Sequence, residues 1–268
     1  MLECVVNISE GRDPRIIGAI AAAAGADLLD VHSDPHHHRS VLTLVGETAP
    51  RAVATAAVER LDLRNHDGVH PRLGVVDVVP FVALGDATDD DARTARDRFA
   101  TWFAEAHAVP CFTYGAERTL PDVRREAFRA LAPTVGPPGP HPTAGATAVG
   151  NRPVLVAYNV WLAGSDVDVD VAKAVARAVR RPGLRTLGLQ VGARAQVSMN
   201  LVEPERLGPA SAYDLVLAEA GARGAAADGA ELVGLLPRAV LDGVPRDRWT
   251  ALDLSDDRTI EARLGRQA

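Results

Sequence analysis

The sequence predicts an α/β protein built from two α/β subdomains, and three observations carry that expectation. Short apolar runs alternate with amphipathic, Ala-rich segments along most of the 268 residues. Proline and glycine crowd the stretch from Ala132 to Pro153, which separates one series of alternations from a second. The composition, 47% hydrophobic and 24% charged, is that of an ordinary globular chain. A chain of 268 residues forms one large domain or two small ones. The change of texture sets the boundary near residue 150, giving subdomains over 1–150 and 151–268, with helices covering one face of each sheet.

In the first subdomain, strands are predicted over Glu3 to Asn7, Ala26 to His32, Ser40 to Val45, Gly74 to Ala83 and Val109 to Tyr114. A helix begins with Asp13 as N-cap and Pro14 in its first turn and runs to about Ala24. Another follows from Pro50 to about Leu61. A third starts near Thr88, where Asp89, Asp90 and Asp91 suit the positive end of the helix dipole, and ends near His107. The Pro/Gly-rich stretch predicts a long loop or linker, and long loops in compact proteins are often functional. Beyond it come a strand over Val154 to Leu162, a helix from about Asp166 capped by Ser165, and strands over Leu184 to Val191 and Ala195 to Leu201. A helix over Ser211 to Ala220 follows, with Ser211 and Asp214 at capping-box spacing, then a last strand over Glu231 to Leu236 and a weakly helical tail.

The net charge of −6 argues against nucleic acid as a partner. Lys173 is the sole lysine, which excludes a P-loop and disfavours Schiff-base chemistry. Cys4 and Cys111 both sit in apolar, strand-like contexts and read as buried thiols. The chain opens on an apolar run without a basic leader, and no apolar stretch reaches membrane-spanning length; the expectation is a cytoplasmic enzyme with no membrane partner.

Three polar segments lie at predicted strand ends. Asn7-Ile8-Ser9-Glu10-Gly11-Arg12 joins the first strand to the first helix, where backbone N–H groups are presented to anions. His32-Ser33-Asp34-Pro35-His36-His37-His38-Arg39-Ser40 holds four histidines in seven residues. Adjacent histidines in a turn diverge, and no spaced carboxylate or cysteine completes a ligand set, so no metal is expected. Arg39 is instead a natural fork for a substrate carboxylate. The third segment is His66-Asp67-Gly68-Val69-His70-Pro71-Arg72-Leu73-Gly74. It sets two imidazoles and a guanidinium at the mouth of an apolar strand, and an imidazole near neutral pKa suits proton transfer. Asp77 falls inside that strand, and a buried carboxylate needs a histidine or arginine partner.

These segments resemble the formiminotransferase domain family, best known as the first half of formiminotransferase-cyclodeaminase. Glu3-Cys4-Val5-Val6-Asn7-Ile8-Ser9-Glu10-Gly11 is similar to the family's ECVPNFSEG, and the segment from His66 to Gly74 to its HxGxHPRMG pattern. Leu28 to Val31, Arg39-Ser40-Val41, Tyr114-Gly115, Arg118 to Pro121, Gly136-Pro137, Gly145-Ala146-Thr147 and Ala157-Tyr158-Asn159 continue the match. So do Ala195 to Leu201 and Glu231 to Pro237.

The resemblance implies two facing mixed sheets with helices on the outer faces and a homodimer. It also implies transfer of a formimino or formyl group from N-formimino-L-glutamate to tetrahydrofolate, the co-substrate, in histidine degradation. The family's catalytic histidine maps onto His70, and its folate-binding stretch onto Gly136, Pro137, Pro138, Gly139, Pro140, His141, Pro142, Thr143, Ala144 and Gly145. Residue chemistry adds Asn7, Ser9, Glu10, His32, Arg39, Arg72, Asn159 and Asn200 as substrate-binding candidates, with His66 and Asp77 as supports. The chain departs from vertebrate members, which read DVDAGPSTNR where it has Asp30 to Arg39, so an acidic position becomes His32. Its folate segment also lacks their aromatic residues, and its second lobe is shorter. Two alternatives stay open: a related His-dependent enzyme acting on another amidine or C–N substrate, and a catalytically silent binder of folate or an amino acid. The loop from His32 to His38 is expected to face the segment from His66 to Gly74.

Overall fold

The computed structural model describes residues 1–68 and 71–266. These form two compact units, residues 1–153 and 154–268. Both are mixed α/β, as the alternating pattern predicts, and each has its own sheet.

The first unit runs β1 (Leu2–Ile8), α1 (Pro14–Ala22), β2 (Leu28–Asp34), β3 (Arg39–Val45), α2 (Thr48–Arg60), β4 (Val76–Ala83), α3 (Asp89–His107), β5 (Cys111–Tyr114), α4 (Leu120–Glu126) and β6 (Thr147–Asn151). Its six strands are ordered β2-β3-β1-β4-β6-β5. The β2/β3, β3/β1 and β1/β4 pairs are antiparallel, and β6 pairs in parallel with β4 and β5. The helix starts follow the local chemistry. Asp13 accepts the backbone N–H groups of Arg15 and Ile16 at the start of α1, and Thr88 with Asp91 forms a capping box at the start of α3. Cys4, Val6, Ile8, Leu42, Leu44, Val79 and Phe81 form one apolar face, on which Ile20, Val53, Ala57, Phe99 and Phe103 of the first three helices pack. Strand alternation turns Asn7, Arg39 and Val41 to the opposite face, where Val123 of α4 covers Val78, Phe112 and Ala148.

The second unit runs β7 (Val156–Ala163), α5 (Val169–Val179), β8 (Leu184–Val191), β9 (Arg194–Leu201), α6 (Pro209–Gly221), β10 (Ala226–Val233), α7 (Arg238–Asp242) and α8 (Ile260–Gly265). Its four strands form an antiparallel sheet ordered β10-β7-β9-β8. Val156, Tyr158, Val160, Val197, Met199 and Leu201 line the face that packs on Val175 and Val179 of α5 and Ala212 and Val216 of α6. Asn159, Gln196, Ser198 and Glu231 lie on the other face.

Five expectations are corrected. Part of the predicted irregular loop, Thr147–Asn151, is strand β6, held between β4 and β5 by parallel pairing that no local pattern announces. Helix α4 was absent from the expected elements, although Thr119 and Asp122 form a capping box at its start. The cap of α5 is Asp168, whose side chain accepts from Asp170 and Val171, so the helix begins after Ser165. Helix α6 starts at Pro209 after Gly208 without a side-chain cap, and Ser211 and Asp214 lie inside it. The last strand ends at Val233, because Leu236 instead bridges to Thr259. Among the described residues, no helix is long and apolar enough to cross a membrane.

Candidate active site

The polar segments of the first unit meet at one rim of its sheet, formed by the ends of β1 and β2 and the beginnings of β3, β4 and β6. A β-bulge sets the centre. Asn7 pairs with Val78 and Ile8 with Val76, so Asp77 is an extra residue without a cross-strand partner. The bulge turns its fully buried carboxylate toward three donors. Oδ1 accepts the backbone N–H of Leu73 at 2.7 Å, and Oδ2 accepts Nη2 of Arg124 at 2.6 Å. Arg39 Nη1 also donates to Oδ2. Burial alone would raise the Asp77 pKa, but the Arg39 and Arg124 charges outweigh it and hold the carboxyl at about 2.

Each arginine is fixed a second time. Arg39 Nε donates to Asn7 Oδ1 at 3.0 Å, and Asn7 Nδ2 donates to Val5 O at 2.9 Å. Arg124 Nη1 donates to Pro71 O at 2.9 Å, tying α4 to the segment that follows residue 70. Arg72 donates to Gly68 O and also feels the Asp77 and Arg124 charges. Three guanidinium groups thus gather near one carboxylate at the rim, and a guanidinium is the side chain whose fork matches an anionic group.

Beside this cluster, His38 and His66 stack with ring centroids 4.1 Å apart. His66 Nδ1 accepts the backbone N–H of Gly68 at 3.1 Å, which leaves Nε2 as the N–H that donates to His38 O at 2.8 Å. His38 Nδ1 accepts the backbone N–H of Gly11 at 3.2 Å and lies 3.5 Å from Glu10 Oε1. Burial lowers both imidazole pKa values, so both rings are held neutral. Gly68 is required here, since a Cβ would come within 2.5 Å of His37 O and 2.7 Å of His66 Cε1.

The first polar segment is a scaffold for this rim. Ser9 Oγ donates to Gly74 O at 2.8 Å, and Glu10 Oε1 accepts the backbone N–H groups of Arg12 and Asp13 at 2.6 and 3.0 Å. Ser40 Oγ donates to Glu10 O at 2.6 Å. His32 pairs with Val41 across β2 and β3 and shares the face of Asn7 and Arg39. His32 to Asp34, expected in a loop, end strand β2; the turn from Pro35 to His38 packs against the 66–68 segment through His38, and Arg12 bridges both, donating to Pro35 O and to Asp67. His70, with Val69, lies outside the described residues; His66, Gly68, Pro71 and Arg72 bracket it. Among the described residues, no group of three or more His, Cys, Asp and Glu side chains could hold a metal ion.

The folate-segment candidates divide. Pro138, Gly139, Pro140 and Pro142 are exposed, while Ala144 is buried. His141 and Gly145 close a tight turn through paired backbone hydrogen bonds of 2.8 and 2.9 Å, with His141 Nδ1 accepting from Ala144 N at 3.0 Å. The turn joins the rim because Val75 N donates to Ala144 O at 2.9 Å and Leu63 N to Thr143 O at 2.7 Å. Gly136 and Pro137 follow Val135, which pairs with Cys111. In the second unit Asn159 is buried and Asn200 exposed, both on the helix-free face of the sheet.

Two residues of the rim were not among the candidates. Arg124 sits on the unforeseen α4; an unpaired Asp77 in an apolar strand was the signal that a cation had to come from somewhere. His38 was masked by its histidine neighbours, and only the fold separates it from His37, whose Nδ1 lies 2.9 Å from Asp34 Oδ2.

Acid should loosen this unit. Asp77 and Asp34 are both held at about 2; in Asp34 burial acts upward and is outweighed by hydrogen bonds from the His37 side chain and backbone. A carboxyl with a folded pKa below its unfolded value contributes stability that is full above pH ~4 and lost as pH falls toward 2. For fully buried Asp77 the loss amounts to about 2 kcal/mol. Urea unfolding between pH 6 and 2.5 is the measurement. A midpoint that does not move between pH 4.5 and 2.5 would contradict the assignment.

An α/β unit that gathers guanidinium groups, fixed imidazoles and a buried carboxylate at one strand rim has the polar convergence of an enzyme site. Comparison with known proteins gives the class, a transferase. The sequence profile of the formiminotransferase domain, N-terminal subdomain, matches residues 1–152. The chain is 34% identical to glutamate formimidoyltransferase of Streptococcus pyogenes serotype M1, over 90% of this chain and 91% of that protein. It is also 34% identical to glutamate formimidoyltransferase of Thermoplasma acidophilum, over 92% and 91% respectively. Formimidoyltransferase-cyclodeaminase of Sus scrofa is 34% identical over 90% of this chain, which spans 51% of that longer protein. The chain belongs to the formiminotransferase family.

Proposed function

We propose that this protein transfers a formimino group from N-formimino-L-glutamate to tetrahydrofolate, with His70 as the acid/base. The observation that carries the reading is the Arg39, Arg72 and Arg124 cluster around Asp77, in which Arg124 holds Pro71 O and Arg72 holds Gly68 O, on either side of His70 in sequence. Glutamate and folate both carry carboxylates, and Arg is the side chain that grips a carboxylate through two parallel N–H bonds. The names of the relatives supply the group transferred.

The chemistry needs one proton carrier. Folate N5 attacks the formimino carbon, forming a C–N bond and a tetrahedral intermediate. His70 takes the N5 proton and delivers it to the glutamate nitrogen as the old C–N bond breaks, releasing glutamate and 5-formiminotetrahydrofolate. In this reading Arg72 and Arg39 clamp a substrate carboxylate, while Asn7 and Asp77 orient Arg39. Ser9 and Glu10 spend their side chains on the backbone of the rim and act by positioning. His66, locked as one tautomer, stiffens the turn on the N-terminal side of His70. His32 lies on the same face as Arg39 and completes the substrate side. The turn from Gly136 to Gly145 offers backbone groups and His141 to the folate, and Asn159 and Asn200 offer amides from the second unit. The enzyme works in the cytoplasm, as a homodimer.

The test is a direct assay. Purified protein given N-formimino-L-glutamate and tetrahydrofolate is expected to release glutamate and form the formimino-folate, read by its absorbance change. Tight binding of both substrates without turnover would favour the silent homologue. Turnover of another amidine, with none of this pair, would favour the alternative enzyme.

A further inference from the structure

On the helix-free face of the second sheet, Asn159, Gln196 and Glu231 make a compact polar cluster that the family resemblance does not assign. Glu231 is the direct cross-strand partner of Asn159 on β10 and β7, and Gln196 lies one diagonal step away on β9. Asn159 Nδ2 donates to Glu231 Oε2 at 3.0 Å, and Gln196 Nε2 reaches the same oxygen at 3.4 Å. This fixes both amides, because turning either around would set a carbonyl oxygen against the carboxylate. Each amide must therefore aim its oxygen elsewhere as an acceptor. Gln196 is fully buried, and its Oε1 has no hydrogen-bond partner among the described residues. A buried acceptor left unmatched is costly, so its retention points to a donor that arrives from outside. Exposure along β9 falls from exposed Asn200 through partly buried Ser198 to Gln196, giving a polar strip that leads to the acceptor. Arg194, next on the same face, is taken up by Asp228 at 2.6 Å and by the Trp161 ring at 4.7 Å.

We propose that Asn159, Gln196 and Glu231 form a binding subsite for a planar, nitrogen-rich group that presents adjacent N–H donors in one plane. Two amide oxygens beside a carboxylate accept and do not donate, which selects such a group over carboxylates and sugars. Within the proposed reaction, on which this inference rests, two groups carry that chemistry: the 2-aminopyrimidinone edge of the folate pterin and the formamidine of the donor. Gln196 and Glu231 are then specificity-determining residues for that substrate.

The test uses the whole protein and three probes: tetrahydrofolate, its 2-desamino analogue and N-formimino-L-glutamate, with dissociation constants read by calorimetry. If the pterin occupies the subsite, the wild type binds the desamino analogue about 10- to 100-fold more weakly than tetrahydrofolate. Gln196→Leu then weakens tetrahydrofolate about 10-fold or more and leaves the analogue nearly unchanged. If the formamidine occupies it, Gln196→Leu weakens formiminoglutamate alone. Wild-type binding of the substrates that is indifferent both to the 2-amino group and to Gln196→Leu overturns the subsite and leaves the proposed reaction standing. Binding of none of the three probes by the wild type overturns both. The wild-type comparison between tetrahydrofolate and its analogue needs no variant, so a poorly folding Gln196→Leu protein does not remove the pterin arm of the test. Glu231→Gln serves as the second variant and is expected to weaken the same substrate.

Discussion

His70→Ala is expected to lower kcat for formimino transfer by about 100- to 10,000-fold, the range that a general acid/base contributes. The reaction needs a proton moved from the attacking nitrogen to the departing one, and an unbuffered intermediate would revert to reactants. Substrate dissociation constants should change little, because the grip on the carboxylates belongs to the arginines of the rim. Thermal unfolding of the variant should also resemble wild type. Stopped-flow or steady-state assays at saturating substrate give kcat directly. The pH dependence should flatten as well, since the group whose protonation gates the wild-type rate is gone. A variant with wild-type kcat would remove His70 from the mechanism and shift attention to His38, the imidazole stacked on His66 at the rim.

The second large effect is one of stability. Asp77→Asn keeps the volume of the side chain and removes the charge that both Arg39 and Arg124 contact in a largely dry site. Breaking a buried pair from one side costs about 3–5 kcal/mol, because the partner charge stays buried and loses that compensation. Chemical denaturation at pH 7 is expected to show a loss of that order. The loss should shrink at pH 2.5, where the wild-type carboxyl is itself becoming neutral. Equal stability of variant and wild type at pH 7 would mean that water or another carboxylate compensates the guanidinium pair. Activity should fall with the variant too, since the carboxylate orients the arginine that also holds Asn7.

Much of the fold was legible from local chemistry. Asp13 and Pro14 announced α1, the Thr88 to Asp91 run announced α3, and the apolar run after Gly74 announced β4. These signals are local because a cap or a side-chain period needs no distant partner. Strand β6 shows the opposite case. Its Thr-Ala-Val-Gly-Asn sequence has little strand character, and it is a strand because β4 and β5 flank it in parallel. Gly150 there accommodates the Tyr114 ring, whose Cζ would lie 2.1 Å from an added Cβ; nothing near Gly150 in sequence reveals that neighbour. The rim follows the same division. The presence of Asp77 in an apolar strand told of a required cation, but the choice of Arg39 and Arg124 came from residues 38 and 47 positions away.

The sequence by itself determined the alternation of strands and helices, the family, and the set of residues fit for proton transfer and carboxylate binding. These are written in side-chain chemistry and order along the chain, which folding does not alter. Only the tertiary structure decided which of those residues meet. It gave Asp77 two arginines, stacked His38 on His66, turned Ser9 and Glu10 into supports for the rim, and left Gln196 with a buried acceptor unmatched among the described residues. The reason is physical: a charge or hydrogen-bonding group is satisfied by whatever lies within about 3 Å in space, and strand pairing and bulges fix those distances, not separation in sequence.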